Sequence, residues 1–122
     1  MNNPVGWFEI YVTDMTRARA FYEAVFDVEL SELVSPGMEM LAFPMLPESP
    51  GASGALVRMP GFSPGGNGIL VYFNCADCAV EAAKAAKAGG KVQKEKMSIG
   101  QYGFIALVVD TEGNMIGLHS MQ

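Results

Sequence analysis

Residues 7–14 read Trp7-Phe8-Glu9-Ile10-Tyr11-Val12-Thr13-Asp14, and the twelve that follow read Met15-Thr16-Arg17-Ala18-Arg19-Ala20-Phe21-Tyr22-Glu23-Ala24-Val25-Phe26. The first run, rich in aromatic and β-branched residues, is expected as a strand. Asp14 ends it and offers a carboxylate to the free N–H groups of a helix, and helical periodicity begins at the next residue. The same punctuation returns later: 69–73 is an apolar run, Cys75-Ala76-Asp77 closes it, and 78–88 is again helical in pattern. Asp77 stands 63 positions after Asp14, and Ile116-Gly117-Leu118-His119 stands 62 after Gly54-Ala55-Leu56-Val57. So steady an offset marks an internal duplication. Residues 5–59 and 69–122 are two copies of one unit.

In the first helix Ala18, Phe21, Tyr22 and Val25 follow the i, i+3, i+4, i+7 rule and are expected to face the core, with Arg19 and Glu23 paired outward. In the second, Ala79, Ala82, Ala83 and Ala86 keep the spacing with small residues, Glu81, Lys84 and Lys87 lie toward water, and Gly89-Gly90 ends the helix. Strand-like segments follow each helix: 29–34, 38–43 and 55–59, then 91–94, 104–109 and 115–119. Turn signals separate them at Ser35-Pro36-Gly37, 47–51, 98–103 and 110–114. Each unit is therefore βαβββ, and the Gly- and Pro-rich stretch 60–68 links the two.

At 122 residues, half of them apolar, the chain fits one compact domain, or two modules neither of which buries a core alone. A formal net charge of −5 argues against a phosphate-binding surface, so nucleic acid is set aside. Met1-Asn2-Asn3-Pro4 lacks a charged n-region or apolar h-region, and no apolar stretch approaches the ~20 residues a membrane span needs. The only cysteines, Cys75 and Cys78, are too close to staple a fold. A soluble, cytoplasmic protein is the expectation.

Several features together carry a family resemblance: the doubled βαβββ plan, Phe8-Glu9-Ile10, Asp14 followed by Arg17-Ala18-x-x-Phe21-Tyr22, Gly89-Gly90-Lys91-Val92, and Asp110-Thr111-Glu112-Gly113-Asn114. In that order they resemble the vicinal oxygen chelate superfamily, the glyoxalase, bleomycin-resistance and extradiol-dioxygenase group. The resemblance spans essentially the whole chain. It implies an α+β fold in which two tandem βαβββ modules form a curved mixed sheet around a central cleft, a small-molecule ligand, and a homodimer.

Metal-dependent members of that group place a His, Glu or Gln on the first and last strands of each module. Carried onto this chain, those positions hold Trp7, Ala55, Leu70 and Gly117, none of which ligates a metal. A shift of one residue offers no donor either, and a shift of two gives Glu9, Val57, Tyr72 and His119, of which only Glu9 and His119 are donors. A catalytic divalent site wants about three protein ligands. No metal or other cofactor is expected.

If Trp7 faces the cleft, strand alternation brings Glu9 and Tyr11 with it, along with Leu70, Tyr72 and Asn74 on the fifth strand and His119 on the last. With Phe43 and methionines these would form an apolar wall carrying a few polar groups, the usual form of a small-molecule site. Glu9 and His119 are the candidate acid–base pair, set against a structural polar cluster or an exposed histidine. Trp7, Tyr11, Phe43, Leu70, Tyr72 and Asn74 are the candidate ligand-lining residues. Three functions stay open: a metal-independent binding protein or enzyme of the bleomycin-resistance type, a metal-dependent lyase, isomerase or dioxygenase, and a dimeric interaction module without chemistry.

Three other motifs stand out in the sequence. Cys75-Ala76-Asp77-Cys78 has CxxC spacing, but no second CxxC or His pair accompanies it, so small residues at a tight junction are the expectation, with a reactive thiolate at a helix N-terminus as the alternative. The nine methionines include Met38, Met40 and Met45 around one strand and read as core filling. Gly65-Gly66-Asn67-Gly68 lacks the Lys-Ser/Thr of a phosphate loop and reads as a flexible connector.

Overall fold

Both expected caps form. In a computed structural model describing residues 3–48 and 51–122, Asp14 Oδ1 accepts from the Arg17 N–H at 3.0 Å and Asp77 Oδ1 from the Ala79 N–H at 3.0 Å. They open helices α1 (Met15–Phe26) and α2 (Cys78–Lys87). Asp27 closes α1 in the left-handed conformation at φ 54°, which Asp tolerates because its short polar side chain bonds locally. Eight strands complete two βαβββ modules: β1 (Val5–Tyr11), β2 (Ser31–Ser35), β3 (Met38–Ala42) and β4 (Ser53–Arg58), then β5 (Ile69–Asn74), β6 (Lys91–Ser98), β7 (Phe104–Val109) and β8 (Met115–Ser120). The fold is α+β.

The chain divides into two compact units, Trp7–Ile69 and Leu70–Gln122, and residues 3–6 belong with the second. The Asn74 N–H donates to the Pro4 carbonyl at 2.8 Å, which ties that short segment there. In the first unit the strand order is β2-β3-β4-β1, with β1 parallel to β4 and the remaining pairs antiparallel. In the second it is β5-β8-β7-β6, with β5 parallel to β8. Each unit thus ends on an open edge, β2 or β6. Strand β6 runs four residues beyond its expected end, with two register shifts against β7, and a 3-10 turn (Gly100–Tyr102) occupies part of the predicted 98–103 turn. Residues 49 and 50 of the predicted 47–51 turn lie outside the described residues.

The cores follow from strand alternation. In the first unit Leu30, Leu41 and Leu56 are buried against Ile10, Ala18, Tyr22 and Phe43 under α1. In the second, Cys78, Ala82, Ala106, Val108 and Leu118 cluster under α2 with Ala85 packed against them, whereas Ala79, Ala83 and Ala86 of the expected face are exposed and Glu81, expected toward water, is half-buried. One expectation fails on α1: no residue of this helix is fully buried, and Phe21 and Val25 are 57% and 55% exposed. Ala18 and Tyr22 pack on the core as expected, joined by Met15, while Glu23 turns to the chain reversal, accepting from the Leu30 N–H at 2.8 Å and from Arg19 Nε at 3.1 Å. That second bond is the expected Arg19–Glu23 pair.

Candidate functional site

Strand β1 presents Phe8 and Ile10 to the α1 side and Trp7, Glu9 and Tyr11 to the other, since successive side chains alternate. Register sets Glu9 beside Ala55, and Ala55 beside Ala42; Tyr11 lies beside Val57, and Val57 beside Met40. Ala42, Ala55 and Val57 are fully buried. Small, dry neighbours therefore surround a carboxyl.

The Glu9 carboxyl is held from its own strand. Oε1 accepts from the Tyr11 hydroxyl at 2.5 Å and Oε2 from Trp7 Nε1–H at 3.2 Å. Among the described residues no Lys, Arg or His forms an ion pair with it. Burial raises its proton affinity above the ordinary carboxylate value, and the two hydrogen bonds offset this in part because they favour the charged form. Glu9 is thus a half-buried carboxyl oriented by two donors.

Tyr11 is anchored by a residue that reading the sequence missed. Phe62, in the 60–68 linker, stacks on Tyr11 with ring centroids 4.7 Å apart, and the Gly68 carbonyl accepts the Tyr11 N–H at 2.7 Å. An aromatic residue alone among Pro and Gly was the available signal.

In the second unit Leu70 and Tyr72 are buried, Asn74 is exposed, and Asn74 pairs in register with His119. Gly117 lies beside Tyr72, and a Cβ there would run into the tyrosine ring. The His119 Nε2–H donates to the Tyr102 carbonyl at 2.6 Å; a carbonyl only accepts, so this bond places the proton on Nε2. Glu9 and His119 each have hydrogen-bond partners within their own unit.

Phe43 departs from its expected place. Strand β3 ends at Ala42, whose side chain shares the Glu9 row, so Phe43 turns to the α1 side, its ring 5.5 Å from Phe8 and 5.7 Å from Tyr22. It is a core residue there and not a neighbour of Glu9. The cysteines are structural. Cys78 is fully buried in the α2 core, and the Cys75 thiol is pushed up to about 11 by burial, then by the nearby Glu81 carboxylate. Burial keeps Cys78 away from solvent, and the raised proton affinity of Cys75 disfavours its thiolate.

A groove of the first unit lies elsewhere, along β2, β3 and the start of α1. It has a volume of about 680 Å3, and Asp14, Arg19, Glu32, Glu39 and Arg58 are among its lining residues. Its cations are already engaged: Arg58 donates to the Thr13 carbonyl at 3.2 Å and approaches Glu39 at 3.7 Å, and Arg19 pairs with Glu23.

Residues 5–118 match the model of the glyoxalase/bleomycin resistance protein/dioxygenase superfamily. The chain belongs to this superfamily. Solved structures share its fold at low identity. A variant of Streptomyces coelicolor methylmalonyl-CoA epimerase, solved with 2-nitronate-propionyl-CoA, is 17% identical with a TM-score of 0.68, covering 98% of each chain. Methylmalonyl-CoA epimerase from Mycobacterium tuberculosis is 16% identical with a TM-score of 0.67, covering 98% of this chain and 88% of its own. A Legionella pneumophila protein described as an NAD-dependent benzaldehyde dehydrogenase is 15% identical with a TM-score of 0.64, covering 95% of this chain and 98% of its own. No curated protein matches the sequence significantly.

The donor set of a superfamily metal centre does not fit this chain. Trp7, Ala55, Leu70 and Gly117 offer no donor atom, and among the described residues no three His, Cys, Asp or Glu side chains stand close enough to share an ion. Glu9 already spends both oxygens on Tyr11 and Trp7.

Proposed function

We propose that this superfamily member binds a small organic molecule at the β1 face of Trp7, Glu9 and Tyr11, and that it does so without a resident metal. The observation that carries the reading is the Glu9 carboxyl, half-buried beside Ala55, without an ion-pair partner among the described residues, and oriented by a phenol and an indole. Such a group, with its raised proton affinity, serves as a hydrogen-bonding anchor for a polar atom of the ligand, or takes a proton from it and returns one at the same carboxyl. Trp7 supplies a flat apolar surface for a planar ligand. His119, with the Nε2 proton held by Tyr102, has Nδ1 as the acceptor nitrogen of its neutral ring and is the second candidate for proton transfer. The free thiols Cys75 and Cys78 suit a cytoplasmic setting.

The test is a thermal-shift and fluorescence screen of short acyl thioesters and planar aromatic acids and amines, with Trp7, the single tryptophan, as reporter. Ligands that stabilise the wild type and lose that effect in Glu9→Gln support the reading, and His119→Ala tests the second residue separately. Shifts that survive Glu9→Gln refute the assignment. Stoichiometric Ni, Zn, Fe or Mn in protein purified without added metal refutes metal independence.

A further inference from the structure

Strand β2 has one edge without a partner strand, and the polar groove of the first unit runs beside it. In the ladder Glu32 stands beside Leu41 and Leu56, and Val34 beside Glu39 and Arg58. Glu32 and Val34 therefore share the face on which Leu41 and Leu56 pack under α1, and the groove opens on that face with a volume of about 680 Å3. Val34 is 86% exposed, an apolar side chain with no neighbour on its outer side. An edge of this kind carries a row of N–H and C=O groups ready to pair with another strand.

We propose that β2 takes an extended segment of another protein as an added strand, with a basic residue beside Glu32 and an apolar residue, two positions away, beside Val34. Charge selects that occupant. Arg19 is spent on Glu23 and on the Leu30 carbonyl at 3.3 Å, and Arg58 on the Thr13 carbonyl and Glu39. Asp14 is spent on capping α1. The Glu32 carboxylate has no hydrogen bond or ion pair among the described residues, so the uncommitted charge of the groove is negative. Residues 7–69 also hold eight Asp and Glu against three Arg, so this unit carries the whole formal net charge of −5 and draws basic partners toward it. Strand alternation turns this into a sequence rule. Facing residues of neighbouring strands lie about 4.5–5.5 Å apart at Cα, so a lysine opposite Glu32 reaches its carboxylate. Side chains two apart share a face, so the segment reads basic-x-apolar in one strand direction and apolar-x-basic in the other. Main-chain bonds to the edge supply the affinity, and Glu32 and Val34 supply the selection.

The probe is a fluorescein-labelled peptide in which lysine and valine alternate at every second position with threonine between them, titrated with the full chain and followed by fluorescence anisotropy. The wild type binds it saturably, and the affinity falls as salt is raised. Glu32→Lys, at an exposed position, weakens binding roughly tenfold, because an attraction is exchanged for a repulsion. The same peptide with glutamate in place of lysine binds Glu32→Lys more tightly than it binds the wild type. A copy methylated at every backbone nitrogen does not bind, since it cannot complete the ladder. Absence of saturable binding overturns the proposal, as does indifference to Glu32→Lys or a charge exchange that restores nothing. Equal binding of the methylated peptide also overturns it, by showing side-chain capture in the groove with no strand added. So does a wild-type dimer in sedimentation velocity that Val34→Lys dissociates, which would show the edge closed by a second copy. Far-UV circular dichroism of each variant separates lost binding from lost folding.

Discussion

Replacing Tyr11 by Phe removes one oxygen and almost nothing else. The ring keeps its stack on Phe62 and its buried place, while Glu9 Oε1 loses its donor at 2.5 Å. The size of the effect depends on the charge of Glu9. A hydrogen bond to an ionised group contributes about 1.5–3 kcal/mol and one between neutral groups about 0.5–1.5 kcal/mol. At roughly 4 °C per kcal/mol for a chain of this size, Tyr11→Phe lowers Tm by about 6–12 °C where Glu9 is ionised and by about 2–6 °C where it is protonated. The hydrogen bond from Tyr11 lowers the proton affinity of Glu9 against the larger effect of burial, so its loss raises that affinity further. Trp7 donates to the same carboxyl, so its emission followed against pH reports the Glu9 titration. The midpoint therefore moves to higher pH in Tyr11→Phe. The sign for stability follows: a carboxyl raised above its ordinary 4.5 holds more protons folded than unfolded, so stability falls as pH rises from 4.5 through the folded value. Glu9→Gln abolishes that slope. An unmoved or lowered midpoint, or a Tm loss equal at acid and neutral pH, would refute this account of the carboxyl.

Gly117→Ala pushes a methyl into the Tyr72 ring, and overpacking of this kind costs about 1–3 kcal/mol, read as a lower denaturant midpoint with an unchanged m-value. Iodoacetamide labels Cys75 far more slowly than a free thiol at neutral pH, because the thiol titrates near 11, and Cys78 reacts only after unfolding; mass spectrometry of timed samples checks both. Lys96, which donates to Asp77 at 2.9 Å, holds that cap carboxylate below its ordinary range, with the Ala79 N–H contributing next. A depressed carboxylate stabilises above its unfolded pKa and loses that contribution as pH falls, so Lys96→Met shrinks the acid-side stability loss, measured by urea titration between neutral and acid pH.

What the sequence made legible was local chemistry. Asp14 and Asp77 were readable as caps because capping depends on the few N–H groups that follow, and the βαβββ order was readable from period and punctuation. Facing was harder. Phe21 and Val25 carry a core-like spacing, but nothing in that spacing says whether the apolar surface is met by the same chain or stays open. Phe43 shows the same difficulty in a strand: the predicted segment ended on it, the real one ends at Ala42, and one residue reverses the face. At the site, Trp7, Glu9 and Tyr11 were legible as one face of β1 by alternation. Their hydrogen bonds were not, since a side chain's rotamer is settled by neighbours such as Ala55 and Phe62 that arrive from distant positions.

The two open edges differ in how they resist unwanted growth. Strand β6 carries Lys91, Lys94, Glu95 and Lys96 along an irregular ladder, features that keep one sheet from templating another. Strand β2 is Ser-Glu-Leu-Val-Ser, regularly paired with β3 and with Val34 86% exposed, so it has a single charge and no bulge to discourage an incoming strand. Strand addition at β2 is therefore the expected route of aggregation on heating, and Val34→Lys is expected to slow the rise of light scattering at fixed temperature while leaving the face of Trp7, Glu9 and Tyr11 untouched.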